Sequence, residues 1–98
     1  MVNAWVDNLF RLLNDSYNQV YIRWNEAGNG FIVLSERGFS LNILPHYFST
    51  SKWSAFMRNL GYYNFHRVSG DADSCEYIHP VFHRDHEDRL HMVSGGWG

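Results

Sequence analysis

Residues 51–68 read SKWSAFMRNLGYYNFHRV. Apolar side chains recur here at spacings of three and four residues, which is the pattern of an amphipathic helix. They are Trp53, Phe56, Met57 and Leu60. We therefore predict a helix over residues 51–62 with these four side chains facing a core. Gly61 and Asn64 weaken the helical end, and residues 65–68 alternate like a strand.

The opposite face of this helix is small and polar around a single arginine. At about 100° per residue, the side chains within about 60° of Arg58 include Ser51, Ser54, Ala55 and Tyr62. The major groove of DNA, about 12 Å wide, admits such a helix, and an arginine fork can donate two hydrogen bonds to guanine. The pattern makes Arg58 a candidate for base contact. The alternative is a solvated surface arginine.

The flanking sequence predicts a small α+β domain. Residues 3–14 have helical periodicity, and alternating Val20, Ile22 and Trp24 form a predicted hairpin with Phe31 and Val33. A short second helix begins after Ser35 and stops at Pro45, and a turn at residues 69–74 joins the strand at 65–68 to another at 76–79. This order predicts a winged helix-turn-helix fold, with a three-helix core and an antiparallel sheet of about four strands. We expect one domain over residues 1–93 and a flexible Gly-rich tail over 94–98.

Charge is distributed unevenly along the 98 residues. The net charge of −2 argues against nucleic acid, yet residues 37–70 contain no Asp or Glu. Their basic side chains are Arg37, Lys52, Arg58 and Arg67, joined by His46 and His66. The remaining residues hold four basic and all ten acidic side chains. One basic region on an acidic body can steer a polyanion to one face.

Composition excludes several other classes of protein. Cys75 is the single cysteine, so an internal disulfide is excluded and a reduced compartment is expected. No apolar run approaches the roughly 20 residues of a membrane span, and Asp7 interrupts the N-terminal apolar residues that a signal peptide needs. We expect a soluble protein without membrane contact.

Two segments resemble the DNA-binding domain of heat shock factors. Residues 44–48, LPHYF, and 54–68, SAFMRNLGYYNFHRV, are similar to the family's L-P-K-Y-F and A-S-F-V-R-Q-L-N-x-Y-G-F-R-K-V. Shorter similarities occur at residues 9–10, 22–24, 28–31 and 79–82, in the family's order. The resemblance spans nearly the whole chain. It implies a non-enzymatic, cofactor-free transcription regulator that binds double-stranded DNA at inverted GAA-type repeats and is nuclear in a eukaryote.

The resemblance and the helix pattern together assign candidate site residues. Those proposed to contact bases are Arg58, Asn59 and Ser54. Those proposed to contact phosphates are Ser51, Lys52, Tyr62, Tyr63, His66 and Arg67. Any homo-oligomer is expected to form through regions outside this sequence.

The sequence also departs from the family pattern. Asn59 replaces Gln, Gly61 replaces Asn, Ala55 replaces Ser and Ser49 replaces Lys. Because these changes remove a lysine and polar side chains near DNA, we expect weaker binding. The predicted wing after residue 69 is shorter than the family's. Its acids, Asp71, Asp73 and Glu76, should point away from phosphate.

Three other functions remain as alternatives. A zinc site would use residues among Cys75, His79, His83, His86 and His91, but no C-x-x-C pair accompanies them and we predict none. An enzyme would need Cys75 with a histidine, or the Asp71 and Asp73 pair, in a turn with no predicted pocket. The third alternative is a winged helix used for protein contact. The salt dependence of binding distinguishes this alternative from DNA binding, because contacts to phosphate weaken as the ionic strength rises.

Overall fold

The computed structural model describes residues 2–70 and 74–96. In these residues the α-helices are α1 (Ala4–Leu13), α2 (Glu36–Asn42), α3 (Leu44–Tyr47) and α4 (Trp53–Tyr62). The strands are β1 (Ile22–Trp24), β2 (Gly30–Val33), β3 (His66–Gly70) and β4 (Cys75–Ile78). Short 3₁₀ helices occupy Ser16–Val20 and Glu87–Met92. The architecture is the predicted winged helix-turn-helix.

The sheet has the strand order β1-β2-β4-β3, and every neighbouring pair is antiparallel. The first hairpin turns where Asn25 Oδ1 accepts a hydrogen bond of 2.8 Å from the Gly28 amide, and Gly28 has a φ of 80°. At Gly30 a Cβ would overlap the Tyr77 carbonyl, so β2 and β4 approach closely there. The predicted hairpins are therefore confirmed. Part of the second turn, residues 71–73, lies outside the described residues.

The core joins the helices to one face of the sheet through aromatic rings. Phe56 of α4 is 1 % exposed, and its ring centroid lies 4.9 Å from that of Phe39 and 5.9 Å from that of Trp5. The Phe31 ring of β2 lies 6.4 Å away from it. Aromatic pairs at these separations add packing energy beyond simple burial. Phe56 thus contacts α1, α2 and the sheet at once.

Two apolar side chains do not face the core as predicted. Met57 is 39 % exposed, because it lies at the edge of the buried stripe that Phe56 and Leu60 define on α4. Val20 is 69 % exposed, because residues 16–20 form a 3₁₀ helix and β1 begins only at Ile22. Alternation alone placed Val20 wrongly on the buried face of the strand.

The predicted second helix divides into two, so the described residues hold four α-helices rather than three. Ser35 caps α2, its Oγ accepting from the Gly38 amide at 3.0 Å. The chain then bends at Ile43, and Pro45 lies in the first turn of α3. Proline lacks an amide hydrogen, but first-turn amides need no helical partner. Pro45 therefore begins a new helical turn as well as ending α2.

Residues 94–96 of the glycine-rich end make hydrogen bonds to residues around the end of α4. The Ser94 carbonyl accepts from Asn64 Nδ2 at 3.4 Å, and the Gly96 amide donates to the Tyr62 carbonyl at 3.0 Å. Residues 97–98 lie outside the described residues, and the boundary after residue 93 stays a prediction. No helix in the described part of the chain is both long and apolar enough to span a membrane.

Replacing Phe56 with alanine should lower the free energy of unfolding by about 3–5 kcal/mol, because it leaves a cavity among several rings. Urea unfolding followed by circular dichroism measures this change. Met57→Ala, the adjacent exposed position, is the control and should stay within about 0.5 kcal/mol of the parent protein. Equal losses for the two variants would contradict the packing described for α4.

Candidate nucleic-acid interface

A tight C-terminal cap fixes the end of α4. The Phe65 amide donates to the Leu60 carbonyl at 2.9 Å, and the Asn64 amide donates to the Gly61 carbonyl at 3.1 Å. Asn64 has a φ of 69°, so this is a Schellman motif with asparagine in the left-handed position. β3 can therefore start two residues later, at His66.

Ser54 and Arg58 lie on the outer face of α4, whereas Ser51 and Lys52 precede its first residue, because the helix begins at Trp53 and not at residue 51. Ser51, Lys52, Ser54 and Arg58 are all exposed. Within residues 2–70 and 74–96, the Arg58 guanidinium has no hydrogen bond or ion pair. Lys52 is the N-cap residue of α4, with no side-chain cap bond, so the first helical turn is open to an acceptor. The outer face of α4 and the two residues before it can thus offer a guanidinium, an ammonium and two hydroxyls.

The two tyrosines at the end of α4 differ in burial. Tyr62 is half-buried on the Arg58 side of the helix. Tyr63 is 8 % exposed, and its ring stacks on Trp5 at a centroid separation of 4.9 Å. The ring therefore serves the core, and a phosphate contact of Tyr63 through its hydroxyl stays a prediction.

Asn59 also departs from its proposed role. Its Nδ2 donates to the Ala55 carbonyl at 3.2 Å, within α4 itself. The side chain is half-buried and lines a cavity of about 290 Å³ with the rings of Trp5 and Phe48. One residue on from Arg58, it points about 100° away around the helix. The structure therefore separates Asn59 from Arg58 and Ser54.

His66 and Arg67 lie on β3 and face opposite sides of the sheet. Arg67 pairs with Tyr77, whose ring packs into the core, so Arg67 is on the helix side. Burial raises the pKa of Tyr77 to about 12, and the positive charge of Arg67 acts in the opposite direction. His66 pairs with Ile78 and lines a shallow cavity with Asn29 and Pro80 on the outer face. Their proposed phosphate contacts would therefore be made from opposite faces of the sheet.

A buried histidine forms a hydrogen bond to the C-cap residue of α4, a contact that was not predicted from the sequence. His79 is 6 % exposed, and its Nδ1 accepts from the amides of Val81 and Phe82 at 3.0 and 3.1 Å. The ring proton is therefore on Nε2, which donates to the Tyr63 carbonyl at 2.9 Å. Burial lowers the pKa of His79, the bond to Tyr63 opposes this, and nearby His66 adds to it. The sequence signal was the histidine-proline pair at 79–80.

The other histidines and Cys75 do not form a metal site in the described residues. No group of three or more His, Cys, Asp or Glu side chains comes together there. Cys75 is buried in the core, whereas His83 and His86 pack against each other at 5.1 Å. Asp71 and Asp73, which the sequence placed in the wing, lie outside the described residues.

The chain is similar in sequence to known proteins. A protein-family model described as HSF-type DNA-binding matches residues 5–95. The chain belongs to the HSF-type DNA-binding family. Transcription factor SKN7 of Chaetomium thermophilum is 36 % identical over 99 residues, covering 91 % of this chain and 13 % of that protein. The heat shock factor protein of Schizosaccharomyces pombe is 31 % identical, covering 95 % of this chain and 17 % of that protein. This HSF-type chain therefore spans a small part of the length of either relative.

Solved HSF-type structures share the fold. The crystal structure of Chaetomium thermophilum Skn7 with SSRE DNA has a TM-score of 0.90 and 32 % identity, covering 96 % of this chain and 100 % of that chain. A heat shock transcription factor/DNA complex has a TM-score of 0.71 and 30 % identity, covering 78 % of this chain and 93 % of that chain. The family is a class of transcription-factor domains, which is not a class of enzymes.

Lowering the pH from about 7.5 to about 5.5 should destabilise the fold partly through His79. The folded state keeps this ring neutral, so the unfolded chain takes up its proton first as the pH falls below about 6.5. Stability present above that pH is then lost. Urea unfolding at both pH values measures the loss, which should be smaller in His79→Gln than in the parent protein. His91→Gln, at an exposed position, should keep the parental dependence, and an equal dependence in His79→Gln would contradict this role.

Proposed function

We propose that this chain binds double-stranded DNA in a sequence-specific manner, with α4 in the major groove and Arg58 donating to guanine. The observation that carries this proposal is the exposed Arg58 guanidinium, which has no partner in the described residues and stands on a face of small polar side chains. Ser54, one turn earlier on the same face, leaves room for close approach to a base edge. Asn59, whose side-chain amide donates to the Ala55 carbonyl, and Tyr63, whose ring is buried, are assigned weaker roles.

Phosphate contacts are proposed at both ends of α4. Lys52 and Ser51 stand at the helix N-terminus, where open amides and the helix dipole favour an anion. Tyr62 and Arg67 stand near the other end, where a hydroxyl and a guanidinium can reach the flanking backbone. His66 faces the other side of the sheet and is assigned a weaker role. Such contacts fix the register of the helix without reading sequence.

The proposed target follows from the relatives. Skn7 structures contain SSRE DNA and HSE DNA, the latter with a TM-score of 0.88 and 33 % identity to this chain. Arg58 stands at the position of the family arginine that contacts guanine in inverted GAA-type repeats. We therefore assign this chain to the same class of duplex. The larger protein's role is proposed to be nuclear transcription regulation.

Arg58→Ala should weaken binding to a duplex of inverted GAA repeats by about 1–3 kcal/mol, because two hydrogen bonds to guanine are lost. Fluorescence anisotropy with that duplex and a scrambled duplex measures the effect. Arg89→Ala is the matched control, since Arg89 is also exposed but lies on the C-terminal 3₁₀ helix.

The possible results separate three cases. A preference for the repeat that disappears in Arg58→Ala supports the proposal. Equal, weak binding to both duplexes means that the basic region contacts phosphate without reading this sequence. Absence of binding even at low salt favours the alternative, in which the winged helix contacts another protein.

Lys52→Ala should weaken binding to both duplexes equally, because an ammonium near the helix N-terminus contacts phosphate rather than bases. The slope of log affinity against log salt should fall in magnitude by about one. The measurement is the same anisotropy assay across a salt series. An unchanged slope would place Lys52 away from the DNA backbone.

A further inference from the structure

The segment after the second 3₁₀ helix is attached to the end of α4. Val93 is 4 % exposed and packs in the core. Beyond it, the Ser94 carbonyl accepts from Asn64 Nδ2, and the Gly96 amide donates to the Tyr62 carbonyl. These bonds reach residues on both sides of the helix end. The position of residues 93–96 is therefore fixed relative to the C-terminal end of α4.

Gly95 lies directly on the ring of Tyr62. A Cβ built on Gly95 would overlap the Cε2 and Cδ2 atoms of that ring. The Tyr62 ring also meets the Tyr63 ring edge-on, at 5.0 Å and 89°. The Tyr63 ring leaves the Tyr62 ring no space on that side, because Tyr63 is buried and stacked on Trp5. A side chain at position 95 therefore requires the Tyr62 ring or the backbone of residues 94–96 to move. The hydrogen bonds of Ser94 and Gly96 oppose movement of that backbone, so we expect the ring to move.

The position of the Tyr62 ring matters because of the face that it occupies. Tyr62 follows Arg58 by four residues, which places it about 40° around α4 and one turn further along. Tyr62 and Arg58 are thus adjacent positions on one side of the helix. Any displacement of the ring changes the surface that a duplex would meet beside Arg58.

We propose that Gly95 is a positioning residue for DNA binding, acting through Tyr62. Its bare backbone lets residues 93–96 hold the Tyr62 ring where the hydroxyl lies beside the DNA strand next to Arg58. This inference rests on the proposed function, since it concerns the same α4 surface. It adds a determinant of that surface more than thirty residues away from Arg58 in the sequence.

A double-mutant cycle tests the proposal on the full 98-residue chain. Gly95→Ala, Tyr62→Ala and the double variant are titrated with the GAA-repeat duplex by anisotropy, with Ser94→Ala as the neighbouring control. Gly95→Ala should weaken binding about ten-fold, the effect of losing one hydrogen bond to a charged group. In the Tyr62→Ala background the same change should alter affinity less than about two-fold, because its target is gone. Ser94→Ala should bind like the parent, since it keeps the Ser94 carbonyl.

A purely structural effect gives a different pattern. If Gly95→Ala acted only by destabilising the fold, the thermal midpoint would fall and the loss of affinity would match the fraction of unfolded protein. That result, or parental affinity in Gly95→Ala, would overturn the proposal.

The ring itself gives a readout that does not need DNA. Gly95→Ala should shift the NMR signals of the Tyr62 ring, while Ser94→Ala leaves them in place. If the parent protein shows no preference for the repeat, the proposed function fails, and the ring signals alone decide whether Gly95 positions Tyr62. Unchanged ring signals would overturn the inference in either case.

Discussion

The burial of the Phe56 ring brings α1, α2 and the sheet into contact with one side of α4. Because a helix turns about 100° per residue, fixing this side also fixes the direction of the opposite side. Arg58 and Ser54 are exposed for that reason. Interiors are close-packed, so the aromatic core leaves α4 little freedom to rotate. The packing on the opposite side of α4, by buried and half-buried aromatic side chains, therefore sets the orientation of the proposed DNA-binding surface.

The elements that could be predicted from the sequence are those with strong local signals. Helical spacing identified α1 and α4, and the residues at the first turn identified the β1–β2 hairpin. The errors occurred where the local pattern allowed two outcomes. Val20 fits a strand by alternation, yet the preceding residues close into a 3₁₀ helix. Pro45 ends one helix but also suits the start of another, and only the packed chain shows which occurs.

The candidate site divides in the same way. The position of Arg58 on the exposed face follows from helical periodicity and needs no tertiary information. Tyr63 lies about 140° from Arg58 on the same helical wheel, so helical spacing alone could have predicted that its ring packs in the core, where it stacks on Trp5. The bond between His79 and the Tyr63 carbonyl joins residues 16 apart. The histidine-proline pair at 79–80 marked the residue, but its partner depends on the folded sheet and could not be predicted from the sequence.

The placement of charge has a consequence for how the domain approaches a partner. α4 contains no acidic residue, whereas the described acids lie on α1, α2, β4, the first hairpin and the segments around the 3₁₀ helices. The charged side chains of α4 and of the residue before it, Arg58 and Lys52, are therefore both basic. A polyanion is attracted to such an element more strongly than the net charge of the domain suggests, which favours an approach with α4 in front. A net charge of −2 is thus compatible with approach to a negatively charged surface.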